Sequence, residues 1–437
     1  MTIIGGGLAG CEAAWQLLLR GHSVELYEMK PQKFSPAHKM EGLAELVCSN
    51  SLKSNSLDNA HGLLKEELRR LNSLIMLAAD SSAVAAGSAL AVDRLQFSQY
   101  IEDRLQQQKG FSLTRREITV IPDNSLTIIA TGPLTSDLLA HNMEQILGSS
   151  ALYFYDAIAP IVDADSINMD KVYWASRYDK GTPDYLNCPL TQEEYAKLRQ
   201  ELLAGEKVVL QTFEEMRHFE GCLPIEILAI RGENTMAFGP LKPVGLVNPK
   251  TGIMPHAVVQ LRRENTAGTL FNMVGFQTKL TWPEQQRIFR LIPGLENACF
   301  ARYGSIHRNT YIHSPSLLTS SLRLKTKENI FFAGQIAGVE GYIESSAMGL
   351  LAGLNAAKLL EGKELPPPPP MTAMGALLNY ITAPAHAENF QPMNINFGLL
   401  EPLTGKKTRK KERNLHYVKR SLTALQDWVN QQDLSVS

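Results

Sequence analysis

The sequence predicts an α/β fold in which a parallel, helix-flanked sheet is interrupted by an inserted α+β segment. Three observations predict it. The chain opens on a short apolar strand that runs straight into a glycine-rich turn and a helix, Thr2 to Arg20. A second apolar strand near Leu126 ends in Ala130-Thr131-Gly132. A third, near Asn329, runs into Gly334, a loop and a helix built from small residues.

The opening reads MTIIGGGLAGCEAAWQLLLRGHSVELYEMKP. Gly5, Gly7 and Gly10 form a G-x-G-x-x-G. Such glycines serve a tight turn, close approach of the backbone to a pyrophosphate, and close helix–strand packing, while the helix N-terminus offers N–H groups and a positive dipole end. Gly21 is placed to stop the helix, and the next strand, Val24 to Tyr27, ends on Glu28. That acid stands about 20 residues on, where an acceptor for ribose hydroxyls belongs. Strand, helix, second strand and acid in this order predict a dinucleotide site. Cys11 and Trp15 lie on the helix and read as packing residues.

The later segments read LTIIATGPLTS and NIFFAGQIAGVEGYIESSAMGLLAGLNAA, the latter with a helix expected from about Ser345. An N-terminal βαβ unit, an internal ATG strand and a late AGD-like strand–loop–helix together resemble the large flavoproteins of the glutathione-reductase type. The resemblance implies FAD across a Rossmann-like domain, contacted by Thr131, Gly132, Gly334, Gln335, Glu340, Gly341 and Tyr342. Gln335 stands where those families usually carry Asp.

A helix is expected from about Asp93, and GFSLTRREITVIP alternates as strands do. From Leu152 to Ile306 the pattern changes, with Trp174 and a helix capped by Thr191 and Glu194 in the capping-box spacing. We therefore expect residues 1–151 as the first part of an FAD domain, 152–306 as an inserted substrate domain, and 307–437 as the second part with a basic helical tail. Pro366 to Pro370 reads as a stiff polyproline linker, followed by helices from about Met371 and after Leu415.

Bulk properties narrow the class. The chain has 437 residues, net charge −1 and five cysteines. Near-neutral charge leaves RNA contact to a local basic patch and gives no reason to expect DNA. Scattered cysteines without CxxC spacing argue against a disulfide framework and against a metal site. No apolar run reaches the roughly 18 residues of a membrane span, and no signal peptide is visible, so a cytoplasmic protein is expected. Oligomeric state leaves no mark on the sequence.

Two cysteines sit in polar turns: Cys48 in AELVCSNSLKS and Cys222 in HFEGCLPIE. Cys48 follows the second strand, is expected to end a strand of its own, and so is expected at the flavin edge. With FGPLKPVGL, NMVGFQTKLTWPEQ, YGSIHRNTYIHSP, AGQIAGVEGYIES and MNINFGLL, these segments resemble the folate- and FAD-dependent tRNA uracil-5-methyltransferases. Lys53 stands where Arg is common and His313 where Asn or Asp is expected. The resemblance implies 5,10-methylenetetrahydrofolate as carbon donor, reduced FAD as reductant and methylene carrier, NADH or NADPH as electron source, and 5-methyluridine in the T-loop (position 54) of tRNA as product. A thiolate adding to uracil C6 makes C5 nucleophilic, and free cysteine needs activation to supply one at neutral pH. By the resemblance, Cys222 is the nucleophile and Cys48 the second thiol, handling the proton or protecting the site.

Trp282 and Tyr342 are candidates to stack on isoalloxazine and pterin, although a tryptophan in LTWPEQ equally fits a packing anchor. His307, Arg308 and Asn309 either orient folate or flavin or satisfy buried backbone groups. The dense basic run contains Lys406, Lys407, Lys410, Lys411 and Arg413, a candidate contact for RNA phosphates or a solvated loop. Three other readings stay open: a wobble-uridine modifier of the same broad group, which has a longer C-terminal helical region, a small-molecule flavin oxidoreductase, and a flavin-bearing RNA-binding protein without catalysis.

Overall fold

A computed structural model describes residues 1–148, 152–179, 182–208, 223–388, 390–403 and 409–434. The expected α/β class is present. Its first layer is a six-stranded sheet in the order Arg323–Leu324, Lys327–Phe332, Thr127–Ile129, Thr2–Ile4, Val24–Glu28, Phe111–Arg115. All neighbours are parallel except the hairpin of Arg323–Leu324 with Lys327–Phe332. Ile3 pairs with Leu26 on one side and Ile128 on the other, and Phe331 pairs with Ile128. All four are buried, as continuous apolar runs must be in a parallel sheet covered on both faces.

Helix Leu8–Leu18 packs on one face, against the long helix Tyr342–Leu360. The contact is close because the facing residues are small. A Cβ on Gly349 would lie 2.3 Å from Ala9 O, and one on Gly353 would lie 2.8 Å from Ala13 O. The long helix begins three residues before the expected Ser345, at Tyr342, because Gly341 (φ 117°) makes the turn that launches it. Cys11 and Trp15 are buried, and burial pushes the Cys11 thiol pKa far up.

A two-stranded antiparallel ribbon, Leu152–Ile158 with Ser305–Tyr311, leads from this layer to a second sheet and back. That sheet is antiparallel, in the order Tyr173–Ala175, Tyr185–Leu190, Ala257–Arg263, Leu270–Met273, Ile161–Asp163, Phe300–Arg302. Helix Gln192–Ala204 carries the full capping box, Glu194 N to Thr191 Oγ1 at 3.2 Å and Thr191 N to Glu194 Oε2 at 2.8 Å. Two separate buried apolar clusters result. One draws on residues from 3–143 and 311–434, the other on residues from 162–298.

Three local expectations are corrected. The proline run is not a free linker but a packed strap: Trp428 Nε1 donates to Pro366 O (3.0 Å), Thr372 Oγ1 to Pro369 O (2.7 Å), and a Cβ on Gly375 would lie 2.2 Å from Pro369 O. Proline carbonyls lack ladder partners and take side-chain donors instead. The last helix starts at Lys410, not after Leu415, so the described basic residues lie on its first turns. Cys48 does not end a strand; it sits in a bend before strand Ser51–Ser54. No helix among the described residues is long and apolar enough to cross a membrane.

Candidate active site

The glycine turn leaves no room for side chains where a pyrophosphate would approach. Gly5 has φ 106°, and a Cβ there would meet Ala130 O at 2.6 Å. A Cβ on Gly10 would lie 1.9 Å from Gly5 O, whereas one on Gly7 would meet nothing within 4 Å. The helix N-terminus at Gly7 has no side-chain cap, so its first N–H groups face the turn. Glu28 accepts from Gly6 N (2.9 Å) and Lys30 N (3.0 Å), one bond on each oxygen, which leaves lone pairs for ribose hydroxyls. On the opposite side Thr131 Oγ1 meets Thr135 Oγ1 at 2.6 Å, and Gly132 turns the chain at φ 67°. Gly5, Gly6, Gly7, Glu28, Thr131 and Thr135 line a cavity of about 610 Å³.

A second cavity, about 1240 Å³ and open to solvent, adjoins the first; Leu134 lines both. Its walls include Cys48, Lys53, Arg262, Asn309, Gln335, Glu340, Gly341, Tyr342 and Glu344. Gly334 turns at φ 82°, with no space for a Cβ beside Ala9. Gln335, the departure from Asp, donates from Nε2 to Glu340 Oε2 at 2.5 Å, so Glu340 brings a carboxylate to the same loop. An uncapped helix N-terminus, the remaining lone pairs of Glu28 and two joined cavities fit an extended dinucleotide such as FAD.

Cys48 stands half-buried in the wall of the second cavity. Its turn is held from several sides. Tyr342 Oη accepts from Cys48 N (2.8 Å) and Ser49 N (3.1 Å), and burial raises the phenol pKa. Arg262 donates from Nη2 to Ser49 Oγ (2.6 Å) and from Nε to Asn50 Oδ1 (3.1 Å). Arg94 binds Leu46 O at 2.6 Å, and Arg302 binds Val47 O. Three guanidinium groups thus hold the backbone and side chains of the thiol's loop. Arg262 and Arg302 come from the second sheet, so the turn exists only where both layers meet.

The comparisons with known proteins agree on one family. The family described as glucose inhibited division protein A matches residues 1–364. A protein of Syntrophus aciditrophicus named methylenetetrahydrofolate–tRNA-(uracil-5-)-methyltransferase is 61% identical over 99% of this chain and 98% of its own. One of Geobacter sulfurreducens with the same name is 60% identical over 98% of each. The chain belongs to this family of methylenetetrahydrofolate–tRNA-(uracil-5-)-methyltransferases. Its fold also matches that of Aquifex aeolicus GidA, with TM-score 0.71 at 15% identity, covering 99% of this chain and 74% of that one.

Within this methyltransferase family chain, the predicted residues distribute unevenly. Gly5, Gly7, Glu28 and Thr131 line the first cavity; Cys48, Asn309, Gln335, Glu340, Gly341 and Tyr342 line the second. Gly10, Gly132 and Gly334 shape the turns between them. Trp282 is not brought to either: it is 63% exposed at the start of helix Trp282–Phe289 and stacks on Tyr303 (5.5 Å, 14°). His307 and Arg308 lie in strand Ser305–Tyr311 by their backbones, and their side chains fall outside the described positions. Cys222, like Lys406 and Lys407, lies outside the described residues. Lys410, Lys411 and Arg413 are exposed on the last helix, which packs on Ala60–Arg70. Sequence reasoning missed Arg262, Arg302, Glu344 and Asn394; only the motif GYIES hinted at Glu344.

Proposed function

We propose that the chain methylates C5 of the T-loop uridine, position 54, in tRNA, with 5,10-methylenetetrahydrofolate as carbon donor and FAD recharged by NADH or NADPH, in the cytoplasm. The observation that carries this reading is Cys48 in the wall of a cavity that continues the dinucleotide cleft. When bound, FAD supplies the reducing power that turns a transferred methylene into a methyl group. Gly5, Gly7, Glu28 and Thr131 would hold its adenosine and pyrophosphate half, and the Gly334–Tyr342 loop its ring half.

The protein's own residues then have distinct tasks. Uracil C5 becomes nucleophilic only after a thiolate adds to C6. Cys222 is assigned that addition by family resemblance. Cys48, set among Arg262, Arg302 and Tyr342 in the wall of the second cavity, is the second thiol. The cluster built on residues 162–298 is the substrate domain in this reading, and the other the cofactor domain. Lys410, Lys411 and Arg413 contact RNA phosphates, giving affinity without base readout.

Incubation of the purified protein with 5,10-methylenetetrahydrofolate, NADH or NADPH and an unmodified tRNA transcript should yield 5-methyluridine at position 54. Cys48→Ala should keep its flavin and lose the product. A yellow protein that nicotinamide reduces, yet that leaves the transcript unmodified, overturns the reading.

A further inference from the structure

Glu344 lies in the wall of the second cavity and is 1% exposed. Its Oε1 accepts from Ile395 N at 3.1 Å and faces His61 Nε2 at 3.5 Å. The tautomer of His61 is fixed from behind. Asn59 Oδ1 accepts the His61 backbone N–H (3.0 Å), which identifies it as the oxygen, and it also lies 2.9 Å from His61 Nδ1. The ring proton therefore sits on Nδ1, and Nε2 presents a lone pair. Nε2 is buried with no hydrogen-bond donor or acceptor satisfied. Two acceptors thus face one another at a cavity wall with no proton between them.

We propose that the Glu344–His61 pair is the acceptor for the proton that must leave uracil C5, a role that rests on the methyltransferase reading above. The C5–H bond breaks, its electron pair passes into the C5–C4–O enolate, and the proton joins Glu344. The pair goes from charge −1 to 0, and the shared proton replaces a repulsion between lone pairs with a hydrogen bond. The proton then returns to solvent through the open cavity that Glu344 lines.

The surroundings are consistent with a pair that starts empty. Burial, with Lys53 and Lys65 beside it, pushes His61 down to about 3. Lys65, held by Ser54 O (2.8 Å) and His61 O (3.3 Å), is itself pushed down to about 7 by burial. An imidazole kept neutral at working pH keeps its Nε2 lone pair available to accept a hydrogen bond from a protonated Glu344.

The test uses the full chain and a tRNA transcript labelled with tritium or deuterium at uridine C5. The wild type should release one tritium to water per 5-methyluridine formed. Glu344→Gln should retain flavin, slow tritium release at least tenfold, and show a larger deuterium isotope effect on kcat. His61→Gln should slow release less, with a smaller rise in the isotope effect. Wild-type release rates in both variants overturn the proposal, as does a slow Glu344→Gln with an unchanged isotope effect. If Glu344→Gln loses its flavin, His61→Gln decides by the same isotope criterion. A wild type that makes no 5-methyluridine overturns the underlying reading instead.

Discussion

Arg262 shows how much of the site depends on a single side chain. It is 6% exposed, and its guanidinium spans Ser49 and Asn50 at once. Asn50, itself buried, returns its amide to Val92 O (3.0 Å) and Arg263 O (2.9 Å), so the arginine completes a network with no solvent to replace it. Arg262→Ala should cost roughly 2–4 kcal/mol by stranding buried acceptors. It should also free the Cys48 turn, which a faster reaction of Cys48 with a thiol reagent would register alongside urea unfolding. None of this was legible in the sequence. Arg262 and Ser49 are 213 residues apart, and nothing in VVQLRRE marks one arginine as inward-facing. The glycines at 5, 7 and 10 were legible because their steric reason is local: the turn and the helix it starts lie within a dozen residues.

At the scale of elements, the contact between Leu8–Leu18 and Tyr342–Leu360 decides whether the cofactor cleft closes. The small-residue helix was readable from Ala and Gly content, but not which glycine touched what. Gly349 faces Ala9 O at a distance that excludes a methyl group, 2.3 Å from an added Cβ. Gly349→Ala should therefore push the helices apart, with a loss of roughly 1–3 kcal/mol. The displaced Leu8–Leu18 helix moves its N-terminus from the phosphate position, so a lower flavin content should accompany a lower Tm. Retention of full flavin with an unchanged Tm would contradict the packing argument. The last helix raises a different matter. Lys410, Lys411 and Arg413 occupy the positive end of a helix dipole, where cations are unfavourable. A bound polyanion would relieve that mismatch. The sequence displayed the charges plainly and hid the dipole, because it suggested a helix start several residues later.

Across the whole molecule, one buried carboxylate ties three helices. Glu67 accepts from Ala373 N (2.7 Å) and Met374 N (2.8 Å) at the start of helix Ala373–Thr382, and from Ser421 Oγ on the last helix. Burial pushes its carboxyl up to about 7 from an ordinary 4.5. The folded chain thus holds a proton that the unfolded chain releases. The stability from this site is full below pH 4.5 and is lost as pH rises to 7, on the order of 3 kcal/mol. Glu67→Gln should flatten this part of the pH dependence, measured as urea midpoints at pH 5 and pH 7. Equal slopes in variant and wild type would refute the assignment.

The strand order of the parallel sheet has a consequence for synthesis. Thr127–Ile129 needs Lys327–Phe332 as its outer neighbour, and helix Leu8–Leu18 needs Tyr342–Leu360 across it. At roughly 5–20 residues per second, the first βαβ unit leaves the ribosome tens of seconds before those partners. Through that interval the apolar faces of Thr2–Ile4 and Thr127–Ile129 have no cover from the far end of the chain. A nascent chain halted before residue 320 should be exposed to chaperones and unable to retain flavin. The second sheet, whose described strands all lie between Ile161 and Arg302, is complete by then. The inserted segment is thus born early and the cofactor cleft late, so the order of folding inverts the order in which the chain presents them.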